Sequence, residues 1–193
     1  MTTHRIFNFS AGPAVLPEVV LDAVQRDLMA LPGVGMSALE ISHRSSNFDA
    51  ILENAERELR ELAGVPADYR VLFLQGGASL QFAMVPMNLL PSGGVADYLV
   101  TGAWSKKAVK EAEKIGQVHV AASTEPTAFA RLPLSDEVEL SPGAAYVHMT
   151  SNNTIYGTQW THLPETGPVP LVSDMSSDIV SRPISVDRFG IIY

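Results

Sequence analysis

The chain has 193 residues, 46% of them hydrophobic and 18% charged, which describes a globular protein with a sizeable core rather than a disordered one. A net charge of −8 argues against nucleic acid and anionic membranes as partners, because both require a basic face. The absence of cysteine excludes disulfides and thiolate chemistry and suits a reducing cytosol.

The opening MTTHRIFNFSAGPAVLP lacks the apolar centre of a secretory signal, and no apolar run approaches the roughly 20 residues that span a bilayer. A cytoplasmic protein outside the membrane is expected. Residues 1–16 read as an N-terminal arm. PEVVLDAVQRDLMAL (17–31) carries apolar residues at 20, 24, 28 and 31, a helical stripe, with Pro17 in its first turn. A second helix is expected over 47–63, with Phe48, Ile51, Leu52, Ala55, Leu59 and Leu62 facing inward. Ser46 and Asp49 resemble its capping box.

Beyond Gly64 the pattern changes. RVLFLQ (70–75) reads as a buried strand, GGAS as a tight turn, and LQFAMVPMNLL as a helix interrupted or bent near Pro86. Strands are expected at 95–101, 117–122, 144–151 and 169–174, with a further one in FGIIY and a helix over 104–115. Lys106, Lys107, Lys110 and Lys114 alternate with Glu111 and Glu113, as on a solvated helix face. Residues 123–143 read as a surface excursion. This alternation predicts an α/β fold, a mostly parallel mixed sheet flanked by helices.

Ligands of such sheets bind beyond the carboxyl ends of the strands, and three features fall there. Gln75-Gly76-Gly77-Ala78-Ser79 joins strand to helix, so its free N–H groups and the Ser79 hydroxyl can hold a phosphate, or it is a plain connector. It lacks the Lys-Ser/Thr ending of a Walker loop. Trp104 is either a core or interface tryptophan or a platform for a planar ring. Asp174 ends an apolar run. It either caps a helix or pairs with a protonated ring nitrogen, and a metal is the poorer reading. Together, in that chain order, the three describe a pyridoxal phosphate site.

FNFSAGPAVLP, MSALEISHRSSNF, LFLQGGASLQF, TGAWSKKA, SNNTIYGTQ and SDMSSDIVSRPI resemble the phosphoserine aminotransferase family over nearly the whole chain. The resemblance implies a fold-type I pyridoxal phosphate enzyme and a homodimer. Its reaction converts L-glutamate and 3-phosphohydroxypyruvate to 2-oxoglutarate and O-phospho-L-serine, in serine and often pyridoxine biosynthesis. Carried over by motif, Ala78 and Ser79 hold the cofactor phosphate, Trp104 stacks on its ring, and Thr154 contacts the ring near its hydroxyl. Asp174 pairs with the pyridine nitrogen, and Arg44 with His43 beside it binds a substrate anion, which suits a guanidinium fork. The resemblance also implies that residues 17–193 are part of a large cofactor-binding domain. The Schiff-base lysine and a small C-terminal domain would then lie beyond Tyr193. No turnover is therefore expected of residues 1–193 alone. The alternatives are another fold-type I activity, such as alanine–glyoxylate transamination or cysteine desulfuration, and a non-catalytic dimerising module.

Overall fold

The computed structural model describes residues 5–10 and 12–193. Residues 1–4 and 11 of the expected arm lie outside the described residues. The chain divides into two compact units, Met1–Leu62 and Ala63–Tyr193.

The first unit carries α1 (Glu18–Asp27) and most of α2 (Ser46–Ala63). Pro17 sits just before α1, in extended backbone, where its missing N–H leaves nothing unpaired. The hydroxyl capping α2 is that of Ser45 rather than Ser46: its Oγ accepts the Phe48 N–H at 3.3 Å. The expected inward face of α2 is not buried. Ile51, Leu52 and Leu62 are exposed and no residue of either helix is fully enclosed. Amphipathic spacing selects a helix, but burial needs a second surface, which these residues do not find within their own unit.

The second unit is built on β1 (Val95–Val100), β2 (Gln117–Ser123), β3 (Val147–Thr150), β6 (Leu171–Asp174) and β7 (Ile191–Ile192), in the spatial order β2-β1-β3-β6-β7. Every neighbouring pair is parallel. A small antiparallel ribbon joins β4 (Asn152–Asn153) to β5 (Thr158–Gln159). The helices α3 (Gly77–Leu89) and α4 (Ala103–Ala112) cover one face, where Phe82 and Val85 meet Tyr98, Val100, Tyr146 and Val172. Loops cover the opposite face, over Leu99, Val147, Met149 and Leu171. Strand side chains alternate between these two cores, as the pleat requires. Residues 123–143 form the expected excursion, with two single-turn 3-10 helices.

Two expectations need correction. Residues 70–74 form no strand; Leu72, Phe73 and Leu74 are more than half exposed. An apolar β-prone run becomes a strand only when a neighbour accepts and donates its backbone hydrogen bonds, and no described strand does so here. Pro86 does not interrupt α3 either. It is enclosed inside one continuous helix, and its carbonyl accepts the Leu90 N–H at 3.0 Å.

Beneath the helical face lies a buried aromatic cluster. The Tyr98 and Tyr146 hydroxyls are 2.7 Å apart, and Tyr98 stacks on His148 with ring centres 4.8 Å apart. His148 Nε2 lies 2.7 Å from the Tyr193 hydroxyl. Burial pushes the imidazole pKa down to about 3, so the ring is neutral. The unfolded chain takes up this proton near the ordinary histidine value, whereas the folded chain resists until about pH 3. Stability is therefore lost as pH falls from about 6.5 toward 3, at up to ~1.4 kcal/mol per pH unit. His148→Gln should flatten that dependence, measured as urea unfolding free energies at pH 7 and pH 5. Equal pH slopes in the two proteins would remove His148 as the cause.

Candidate functional site

The sheet order places a crevice at the carboxyl ends of β1 and β3. The chain leaves β1 through α4 toward β2 on one side, whereas β3 lies on the other side of β1. Connections diverging from adjacent parallel strands open the cleft in which α/β proteins seat their ligands. Trp104 follows β1, Thr154 follows β3, and Asp174 ends β6, the next strand.

Asp174 is buried, at 5% exposure. Its Oδ1 accepts the Ser176 N–H at 3.0 Å and the Ser176 hydroxyl at 2.5 Å. No hydrogen bond to Oδ2 and no cation within ion-pair distance is found among the described residues. Burial raises the pKa of this carboxyl, the Ser176 bonds pull it back in part, and the nearby Asp178 charge raises it again. A carboxylate so placed favours a cationic partner.

Three segments are laced together around it. The Asp174 carbonyl accepts both the N–H and the hydroxyl of Ser151, each at 3.0 Å. Asp178 accepts a second contact from the Ser151 hydroxyl and the Gln159 amide at 3.0 Å. Asn152 Nδ2 donates to Ser177 Oγ at 2.9 Å. On the other side, Asn153 Nδ2 donates to Thr101 Oγ1 at 3.1 Å, tying the segment after β3 to the end of β1. Gly102 is required at that crossing, because a Cβ there would lie 2.5 Å from Asn153 Oδ1. Ser105 Oγ accepts the N–H groups of Thr101 and Gly102, both at 3.0 Å, which starts α4 and presents Trp104 in its first turn. The Trp104 side chain is partly open, at 40% exposure.

The α3 start is set by two glycines. Gly76 has φ +99° and Gly77 φ +57°, a left-handed turn that other residues enter only with strain. A Cβ on Gly76 would also meet Leu80 Cδ2 at 2.4 Å. The Leu80 N–H reaches the Gly76 carbonyl at 3.3 Å, which leaves Gly77, Ala78 and Ser79 in the first turn with no helical acceptor for their N–H groups. The Ser79 hydroxyl accepts a hydrogen bond from Lys107 Nζ at 3.1 Å, and that ammonium lies 5.7 Å from the Trp104 ring centre. The α3 start and the indole therefore share one neighbourhood.

Thr154 is exposed in the turn between β4 and β5, which Tyr156 anchors by packing on Phe129 with ring centres 4.8 Å apart. His43 and Arg44 are exposed in the loop ahead of α2, within the first unit. Within the second unit Ala78, Ser79 and Trp104 lie in first turns of helices, Asp174 ends a strand, and Thr154 lies in the turn after β4. Sequence reasoning missed Ser151, Asn153, Ser105 and Asp178. Contacts between Thr101 and Asn153 have no local signature in the sequence. The charge pattern marks Lys107 only as part of a solvated face.

The buried charge makes a stability prediction for the ligand-free protein. Because the folded-state pKa of Asp174 is raised, its penalty is absent below the unfolded value and complete above the folded one. Asp174→Asn should therefore raise the urea midpoint at pH 7, and the gain should vanish below about pH 4. A midpoint lowered at pH 7 would show that the carboxylate stabilises the fold instead.

The model of the aminotransferase class-V family matches residues 6–193. The chain is 55% identical over 191 residues to phosphoserine aminotransferase of Pseudomonas putida, covering 99% of this chain and 53% of that protein. It is 56% identical over 192 residues to that of Desulfosudis oleivorans, with the same coverage. Among solved structures, phosphoserine aminotransferase from Bacillus circulans subsp. alkalophilus matches with a TM-score of 0.94 at 49% identity, covering 97% of this chain and 52% of that one. The pyridoxal phosphate-bound phosphoserine aminotransferase of Trichomonas vaginalis matches with a TM-score of 0.91 at 38% identity, covering 97% and 53%. The chain spans about half the length of the curated relatives it matches.

Proposed function

The chain belongs to the aminotransferase class-V family, and from that membership we propose that it forms the cofactor-binding part of a phosphoserine aminotransferase. The proposed reaction exchanges an amino group between L-glutamate and 3-phosphohydroxypyruvate, in serine biosynthesis and also in pyridoxine biosynthesis. The observation that carries the proposal is Asp174, a buried carboxylate without a cation among the described residues, at the end of β6 beside the cleft between β1 and β3. That donor set suits pyridoxal phosphate: a carboxylate for a ring N–H, an indole for a ring face, and first-turn N–H groups for a phosphate.

When bound, pyridoxal phosphate supplies an electron sink for the charge left on a substrate carbon that loses a proton. Asp174 would hold the ring N–H and keep that nitrogen protonated, while Ser176 holds Oδ1 in place. Each pKa unit by which the pair favours the protonated ring corresponds to ~1.4 kcal/mol. Trp104 covers one ring face, a contact of roughly 0.5–1.5 kcal/mol beyond burial. Ala78 and Ser79 donate their N–H groups to phosphate oxygens at the positive end of α3. Thr154 would contact the ring near its hydroxyl. Arg44, with His43 beside it, binds a substrate carboxylate or phosphate in two-pronged fashion.

The four lysines of the sequence all lie between Lys106 and Lys114, on α4 and just past it. Binding of the cofactor by residues 1–193 is accordingly proposed as non-covalent. A homodimer is part of the same proposal. The apolar side chains of Val19, Val24, Ile51 and Leu62, exposed on α1 and α2, suit a surface covered by a second copy. Among the described residues no helix is long and apolar enough to cross a membrane. A cytoplasmic site of action is proposed from the cysteine-free composition.

Titration with pyridoxal 5′-phosphate, followed by tryptophan fluorescence, should give saturable quenching. Asp174→Asn should weaken it by roughly tenfold or more, the scale of one lost charge-assisted contact. Borohydride treatment should leave no cofactor fixed to a single lysine. Affinity unchanged in Asp174→Asn would take that residue out of the site, and a single stoichiometric reduced adduct would overturn the non-covalent reading.

A further inference from the structure

We propose that Lys107 is an anion-recognition residue of this site, its ammonium receiving a phosphate monoester dianion at the first turn of α3. The proposal rests on the cofactor-site reading given above and adds a residue that neither the family motifs nor the strand-end pattern singled out. Trp104 and Lys107 are three residues apart on α4 and so project from the same side of the helix. The Lys107 Nζ lies 3.1 Å from Ser79 Oγ and 5.7 Å from the Trp104 ring centre, between the phosphate cradle and the ring platform.

The company this ammonium keeps sets it apart from Lys106 and Lys114. Lys106 is paired with Glu125, and Lys114 with Glu111 at 2.7 Å. Among the described residues Lys107 has no carboxylate within ion-pair distance; its contacts are a neutral hydroxyl and the face of an indole. In a protein with 21 acidic residues and a net charge of −8, a full positive charge is thus held over the cleft by neutral groups. Phosphate oxygens are stronger acceptors than either, because a dianion adds a charge–charge attraction to the ammonium that a neutral hydroxyl or indole lacks.

The contact with Ser79 supplies the geometry. Ser79 is the residue whose N–H belongs to the open first turn of α3, so a phosphate seated there meets the ammonium without any backbone movement. The flexible four-carbon stem of lysine lets Nζ exchange the hydroxyl for an anionic oxygen. The phosphate has two possible sources, the cofactor and a phosphorylated amino acid substrate, and both present the same dianion. The bland role, a tie between α3 and α4 through Ser79, would make Lys107 a contributor to stability with no preference among ligands.

The test uses tryptophan fluorescence titrations of the unsubstituted protein, Lys107→Met and Lys107→Arg with pyridoxal 5′-phosphate, pyridoxal, O-phosphoserine and serine. Lys107→Met should raise the Kd for a phosphorylated ligand roughly tenfold at low salt and leave its unphosphorylated counterpart unchanged. Lys107→Arg should keep most of the affinity, and Lys107→Met should flatten the salt dependence. Loss confined to pyridoxal 5′-phosphate assigns the ammonium to the cofactor, and loss confined to O-phosphoserine assigns it to the substrate. Equal weakening of phosphorylated and unphosphorylated ligands, or no weakening, overturns the proposal. If Asp174→Asn abolishes binding while Lys107→Met does not alter it, the cofactor site stands and the lysine falls. If the unsubstituted protein does not bind pyridoxal 5′-phosphate, both fall.

Discussion

A carboxylate buried at the end of a strand, with no cation among the described residues to balance it, is the constraint around which the second unit is organised. Desolvation makes the Asp174 charge costly, and two hydrogen bonds from Ser176 offset only part of that cost. The fold tolerates it because β6 is an interior strand, hydrogen-bonded to β3 and β7, that holds the residue rigidly. Rigid placement of an unbalanced charge is what a ring-nitrogen partner requires. It also means that the ligand-free protein carries a local instability that a cation would relieve.

The remaining polar groups at the sheet end serve to hold the three strand-end segments in one arrangement. Ser151 bonds to the carbonyl of Asp174 and to the carboxylate of Asp178, and Asn153 bonds to Thr101, so the ends of β1, β3 and β6 cannot shift independently. Gly102 permits that close approach by lacking a side chain. Below this polar layer the core contains the neutral ring of His148 and three tyrosines, which contribute no competing positive charge beneath the carboxylate. In the proposed site, an apolar platform at Trp104 and oriented N–H donors at the start of α3 would place a ligand without a flexible loop.

The two units differ in how much of their apolar patterning is used. In the second, alternating residues of β1 and β3 fill two separate cores on opposite sheet faces. In the first, the stripes of α1 and α2 remain open, as do the side chains of Leu72, Phe73 and Leu74 near the start of the second. Such surfaces gain free energy when covered, at about 25 cal/mol per Å² of apolar area. That gain is available to a second copy or to other polypeptide.

The alternation of apolar runs with helical stripes, the glycines at 76 and 77, and an aspartate closing an apolar run were legible in the sequence because each depends on neighbours a few residues away. From them came the parallel α/β architecture, the strand ends that carry Trp104, Thr154 and Asp174, and the family resemblance. RVLFLQ misled because a strand is a pairwise property: its residues have the propensity, but hydrogen-bonding partners come from elsewhere in the chain. Pro86 misled because burial of its ring inside the folded unit compensates one missing helical bond. Tertiary structure alone decided that β3 lies beside β1, opening the cleft, and that Asn153 locks onto Thr101. It alone brought Lys107 to Ser79. Those contacts join residues 28 to 52 positions apart, and no local rule of propensity or periodicity reaches that far.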